Sequence, residues 1–215
     1  MSRFEVGPAH DGAHPFLALP DGRREVEAVA LLLHGGAEQG MQPTTKHSPP
    51  VLRMVAVGRG IERGTGGRVA VATLRDAVRG YNDEARSPVV DARWAVSRLR
   101  ELYPGRPVAL VGHSMGGRVA LELAGEDGVT SVVGLAPWIP EQYDVSPFLT
   151  RHTLLLHGSK DFVTSPRETA ELAERISAAG GDVRIVLLPD WHAMLLQARA
   201  WHRHTTKFLQ ETLLS

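Results

Sequence analysis

The run Val108-Ala109-Leu110-Val111-Gly112-His113-Ser114-Met115-Gly116-Gly117 carries the clearest structural signal in the chain. Four apolar residues lead into Gly-x-Ser-x-Gly, and an amphipathic segment, Met115–Ala124, follows at once. A serine on so tight a strand-to-helix turn sits in a strained backbone conformation. Residues two before and two after it must lack a Cβ, or the turn collides with itself and its neighbours. Gly112 and Gly116 meet that demand. With 22 glycines in the chain the pentapeptide alone is a weak signal, and its surroundings must support it. A phosphate cradle is rejected, because the motif lacks the lysine of a P-loop and is too short for G-x-G-x-x-G.

Outward from this turn, short Val- and Leu-rich runs recur: Val26–Leu33, Val69–Leu74, Pro107–Val111, Val129–Ala136, His152–Leu156 and Val183–Leu188. Such runs, bounded by Gly or Pro, suit strands buried on both faces of a parallel sheet. Helical patterns alternate with them at Val89–Tyr103, Met115–Ala124, Pro166–Ala179 and Ala193–Leu213. Ser165, Pro166 and Glu168 form an N-cap, a first-turn proline and a capping-box partner. A shorter helix from Ser48-Pro49 to about Ile61 is weakened by Gly58 and Gly60. Strand–helix alternation predicts right-handed βαβ units and an open, doubly wound sheet. Ligands of such sheets sit beyond the C-terminal strand ends, so chemistry is sought there.

Composition narrows the chemistry. The 215 residues suit one domain and contain no cysteine, which removes thiol nucleophiles, disulfides and Cys-ligated metals together. Twenty-four basic residues balance 24 acidic ones, which argues against general nucleic-acid binding. Of the basic residues only Lys46, Lys160 and Lys207 are lysines; the arginines are spread along the chain, as a GC-rich genome would give. No apolar run reaches the ~18 residues of a membrane span, and the first eight residues show no signal-peptide core. A cytoplasmic protein is the expectation.

Three further strand ends complete a pattern. The first apolar strand ends in Leu33-His34-Gly35-Gly36-Ala37, the fifth in His157-Gly158-Ser159-Lys160-Asp161, and the sixth in Leu188-Pro189-Asp190-Trp191-His192. With the Gly112–Gly116 turn, this order of motifs resembles the α/β-hydrolase superfamily over most of the chain from Leu31 to His192. The resemblance implies an α/β fold of mostly parallel sheet with helices on both faces. It also implies a nucleophile at Ser114, an orienting acid at Asp161, a base at His192, and an oxyanion hole at the Gly36 and Met115 N–H groups. No cofactor or metal is called for.

Competing residues carry less. Asp144 and Glu141 follow the fourth strand, where some family members hold their acid. Asp190 is too near His192 in sequence to orient it easily. His113 reads as packing or a loop hydrogen bond, His34 as ordering the oxyanion loop, His152 and His157 as structural, and His202 and His204 as surface; His10, His14 and His47 have no assignment. No set shows metal-ligand spacing. The interval 137–151, where many family members insert a helical cap, is too short for one, so the site is expected to be open. Glu38–Pro50 can wall it in part. Trp138, Trp191, Tyr81, Met41 and Met115 lie near strand tips and are candidate pocket residues, with plain core packing the alternative. Arg79-Gly80-Tyr81-Asn82 also approaches the site. The expectation is a small serine carboxylesterase or thioesterase, similar to dienelactone-hydrolase-like enzymes, acting on a small-molecule ester or thioester. An acyltransferase, a lactonase and a non-catalytic binding protein on the same scaffold are the alternatives.

Overall fold

The computed structural model of the chain describes residues 3–10, 12–20, 25–140 and 143–214. Its strands are β1 (Arg3–Val6), β2 (Phe16–Leu19), β3 (Ala28–Leu33), β4 (Val69–Arg75), β5 (Val108–His113), β6 (Val129–Leu135), β7 (His152–Gly158) and β8 (Asp182–Leu188). Its helices are α1 (Pro49–Gly64), α2 (Ser87–Leu102), α3 (Met115–Glu122), α4 (Pro166–Ala178) and α5 (Ala198–Leu213). One eight-stranded sheet runs in the order β1-β2-β4-β3-β5-β6-β7-β8. Strands β3 to β8 are parallel, and β1 and β2 join one edge antiparallel.

The apolar runs are continuous because both faces of the central strands are covered. Leu31, Leu33, Leu110 and Val132 join the core beneath α2, α3 and α4, while Leu32, Val111, Val133 and Leu154 join the core beneath α1 and α5. The strand order reverses beside β3 and β5, so their C-terminal ends open a crevice, the usual ligand position in such sheets.

Two helix boundaries move further than the others. Helix α5 begins at Ala198 rather than Ala193, because residues 191–197 form a loop tied to Asp190. Helix α1 runs on to Gly64, and Gly58 is where it meets the sheet most closely. A Cβ there would lie 2.7 Å from Leu32 Cδ1 and 3.0 Å from Val71 Cγ1. The glycine that weakens the helix locally allows its packing. Strands β1 and β2 were not predicted; each is only four residues long, and β1 is mostly exposed, so neither shows a buried-strand run.

Between β6 and β7 the described residues hold only a short 3-10 turn, Ser146–Thr150, so there is no cap. Among the described residues no helix is long and apolar enough to cross a membrane.

Replacing Gly58 with valine should push α1 off the sheet and cost about 1–3 kcal/mol, outweighing the gain in helix propensity. Urea unfolding followed by circular dichroism should show a lower midpoint; an unchanged or higher one would contradict this packing account.

Candidate active site

Ser114 joins β5 to α3 with φ 56° and ψ −118°. A non-glycine residue there carries strain on the order of 1–3 kcal/mol, which its surroundings must hold. They do so through the backbone: Ser114 N–H donates to the Leu135 carbonyl (3.0 Å), and Ser114 C=O accepts from Arg118 and Trp138 (3.1 Å each). A Cβ on Gly112 would collide with the Gly116 carbonyl, and one on Gly116 with the Leu33 and His34 carbonyls. The two motif glycines therefore close the turn and bring it against the end of β3.

Three strand ends meet at this turn. His192, after β8, places Nε2 2.9 Å from Ser114 Oγ, and its Nδ1 lies 2.7 Å from Asp161 Oδ2, after β7. Ser114 and His192 are partly exposed, while the Asp161 side chain is fully buried. With Nδ1–H donating to Asp161, Nε2 is left free to accept the serine proton.

The loop after β3 lies against the serine. A Cβ on Gly35 would sit 3.3 Å from Ser114 Cβ, and one on Gly36 would strike Met115 and the Arg79 carbonyl. Among the described residues neither Gly36 N–H nor Met115 N–H has an acceptor within the chain. The block after β4 explains its own composition here. Ala37 N–H donates to the Arg79 carbonyl (3.0 Å), and Asn82 Oδ1 accepts from Gly40 N–H (2.9 Å). Residues 79–82 thus clamp the loop that carries Gly36.

The electrostatics separate one anion from neutral neighbours. Burial alone would raise the Asp161 pKa. Donors from His157 and His192 and the N–H groups of Val163 and Thr164 outweigh that and hold it far below the usual carboxylate range. His113 is pushed down to about 3, first by burial and then by the adjacent His192 and Arg53. Its Nε2–H donates to the His192 carbonyl (2.9 Å), which steadies the His192 backbone. His34 is lowered to about 4, mainly by burial. Its Nδ1–H donates to the Gly35 carbonyl (2.8 Å) and its Nε2 accepts from Asp76 N–H (3.1 Å). Burial, and then nearby Asp91, push the Asp76 carboxyl well above its ordinary pKa, and its Oδ2 lies 3.4 Å from His34 Nε2. Both histidines order loops, as expected.

Other candidates lie elsewhere. Asp144 is exposed and spends both oxygens on Ser146 (2.9 and 2.6 Å), away from His192; Glu141 lies outside the described residues. Tyr81 and Trp138 line a groove of about 770 Å³, but the Tyr81 hydroxyl donates to Glu122 (2.7 Å) and Arg118 stacks on both rings. Trp191 stands half exposed beside His192, and Met41 is exposed, with Asn82 Nδ2 3.3 Å from its sulfur. Met115 is buried under the Gly36 loop. Gln42, Pro43, Thr44 and Ser48 help wall a cavity of about 340 Å³ against Gly35 and Gly36. His202 is half buried rather than on the surface, with its Cβ close to Gly60 of α1. Among the described residues no group of three or more His, Asp or Glu side chains is set to hold a metal ion.

Three supporting residues escaped the sequence reading. His157, taken as structural, is fully buried with Nε2 3.2 Å from Asp161 Oδ2 and Nδ1 accepting from the Thr169 hydroxyl (2.8 Å). The Thr164 hydroxyl lies 3.1 Å from the same carboxylate oxygen. Asp190 does not orient His192 directly. It accepts from Trp191, Leu196 and Gln197 N–H (2.8, 3.2 and 2.8 Å) and from Trp201 Nε1 (2.9 Å), which fixes the loop carrying His192. The signal for His157 was its spacing of four from Asp161; for Asp190, its place at the end of an apolar strand.

The sequence family described as serine aminopeptidase, S33, matches residues 62–152, a span that includes Ser114 but neither Gly36, Asp161 nor His192. No curated protein sequence matches significantly. Solved structures do resemble the chain. Est1E from Butyrivibrio proteoclasticus superposes with a TM-score of 0.75 at 14% identity over 99% of each chain. An esterase from Pyrococcus furiosus gives 0.76 at 15% identity over 99% of this chain and 91% of that one. A Xanthomonas campestris protein described as an α/β serine hydrolase without lid gives 0.76 at 17% identity over 100% and 96%. The chain therefore has the α/β-hydrolase fold, with no cap domain among its described residues.

Proposed function

We propose that the protein is a serine hydrolase that cleaves carboxylic esters or thioesters through an acyl-enzyme on Ser114. One observation carries this reading: the unbroken line from Ser114 Oγ through His192 to a buried, ionised Asp161. A serine hydroxyl needs a base within hydrogen-bond reach to act as a nucleophile, and His192 Nε2 is within it. Asp161 fixes the His192 tautomer and stabilises the imidazolium formed when the proton transfers. The substrate carbonyl oxygen, negative in the tetrahedral intermediate, is received by the Gly36 and Met115 N–H groups. His192 then returns its proton to the leaving group, and a water activated in the same way releases the acid. Partial exposure of Ser114 and His192, with no cap above them, supports hydrolysis over transfer, because water reaches the acyl-enzyme. The esterase described among the structural neighbours agrees with ester substrates.

Ser114→Ala and His192→Ala should each lower kcat on short p-nitrophenyl esters by at least about a thousandfold. Circular dichroism should show the native fold retained; activity within about tenfold of the parent would remove the residue from its role.

Asp161→Asn should lower kcat by roughly a hundred- to ten-thousandfold, because the amide disfavours the required His192 tautomer. Asp144→Asn should leave it near the parental value. The reverse pattern would transfer the acid role to Asp144.

Buried neutral histidines also set an acid limit on the fold. Once unfolded, His113 and His34 bind protons below about 6.5, whereas in the fold they do so only near 3 and 4. The stability they contribute is therefore full above about 6.5 and is lost as pH falls toward their folded values. His113→Gln should reduce the slope of unfolding free energy against pH, measured between about 6 and 4.5, by about 1.4 kcal/mol per pH unit. An unaltered slope would mean that His113 is protonated in the native protein.

A further inference from the structure

Phe162, Val163, Trp191, Leu195 and Leu196 are large apolar side chains between 43% and 78% exposed. All five belong to the two loops that bear Asp161 and His192. Phe162 and Val163 follow Asp161 directly, Trp191 precedes His192, and Leu195 and Leu196 close the same loop. The Phe162 and Trp191 rings meet edge to face, centroids 4.8 Å apart, so the two loops present one apolar surface there.

Loose backbone does not account for this exposure. Asp161 Oδ1 accepts from Val163 and Thr164 N–H (2.8 and 3.1 Å), and Asp190 holds the N–H groups of Trp191, Leu196 and Gln197. Between them Met194 is buried with φ 58°. The polar side chains Asp161, Thr164 and Asp190 are spent on these internal bonds, and beside the exposed Ser159, Lys160 and Gln197 the loops turn five large apolar side chains to water. Exposed apolar residues scattered singly need no explanation, but a cluster on the rim of a site marks recognition.

The chemistry says which half of a substrate meets this rim. When the tetrahedral intermediate collapses, the bond from the acyl carbon to the leaving oxygen or sulfur breaks. Its electron pair goes to that atom, which takes the proton from His192 Nε2 and departs as an alcohol or thiol. The acyl group remains on Ser114 Oγ. The leaving atom must therefore lie within hydrogen-bond reach of Nε2, and the group attached to it extends over the residues flanking His192. The carbonyl oxygen meanwhile points to the Gly36 and Met115 N–H groups.

We propose that the Phe162–Trp191 pair, extended by Leu195 and Leu196, is the leaving-group subsite, and that it takes an apolar alkyl or aryl alcohol or thiol. This rests on the serine-hydrolase reading above and adds the substrate class on one side of the scissile bond.

Hexyl acetate and ethyl hexanoate are isomers of equal overall size that differ only in which side of the ester carries the long chain. Both are assayed below their solubility with native protein, with a Phe162→Ser/Leu195→Ser double variant, and with Val90→Ser, an exposed site on α2, as control. The double variant should lose about tenfold more kcat/KM on hexyl acetate than on ethyl hexanoate. Val90→Ser should leave the ratio between the isomers unchanged. Equal losses on the two isomers, or a larger loss on ethyl hexanoate, would overturn the subsite while leaving the hydrolase intact. If native protein turned over neither isomer, the hydrolase reading and the subsite would fall together.

Discussion

The arrangement at the strand ends depends on one close approach, that of Gly116 to the carbonyls at the end of β3. The contact leaves no room for a Cβ, and it fixes two things at once. It brings the start of α3, with its unpaired Met115 N–H, beside the Gly35–Gly36 loop. It also holds Ser114 in a backbone conformation that side chains rarely adopt, with the hydroxyl at the tip of the turn. The same device recurs across the sheet, where a Cβ on Gly158 would strike the Asp190 carbonyl and so separate the Asp161 loop from the His192 loop. Separation of about an ångström at either contact would break the line from Ser114 to Asp161, because its hydrogen bonds of 2.9 and 2.7 Å would then exceed bonding distance.

Around this line the charges are arranged in layers. Asp161 is an anion sustained by several donors despite burial, so the histidine facing it sees a fixed negative partner. Behind His192 stands His113, kept neutral by burial, donating from Nε2 to the His192 carbonyl and accepting at Nδ1 from Arg53 (3.5 Å). A second protonated imidazole there would oppose formation of the His192 cation. His157 reaches the same carboxylate oxygen as His192. Ser114, His192 and Asp161 thus belong to a larger, mostly buried network that reaches solvent at Ser114 and His192, and its outer members hold the inner ones still.

Much of this was legible in the chain because the central strands obey strong local rules. Val- and Leu-rich runs gave six strands nearly in place, since burial on both faces leaves no alternation to blur the pattern. That Ser114, Asp161 and His192 come together was readable because each lies just beyond such a run. The hairpin of β1 and β2 was not, because it is short, and β1 borders the solvent. The start of α5 was misplaced because the apolar residues Met194, Leu195 and Leu196 continue a helical pattern, whereas the backbone is held in a loop by its hydrogen bonds to Asp190, with Met194 at φ 58°. Asp190 was set aside on sequence proximity, although that same proximity lets it cap the loop. The pocket residues were least legible: Tyr81 and Trp138 divide their surface between core and groove, and spacing alone does not report that division.

The central claim is that Ser114 is a nucleophile activated by His192. The most direct measurement is peptide mapping by mass spectrometry after exposure of the native protein to a fluorophosphonate. The account predicts one covalent adduct, on Ser114, absent from heat-denatured protein and strongly slowed in His192→Ala. Adduct formation on another residue, or none in native protein, would contradict it.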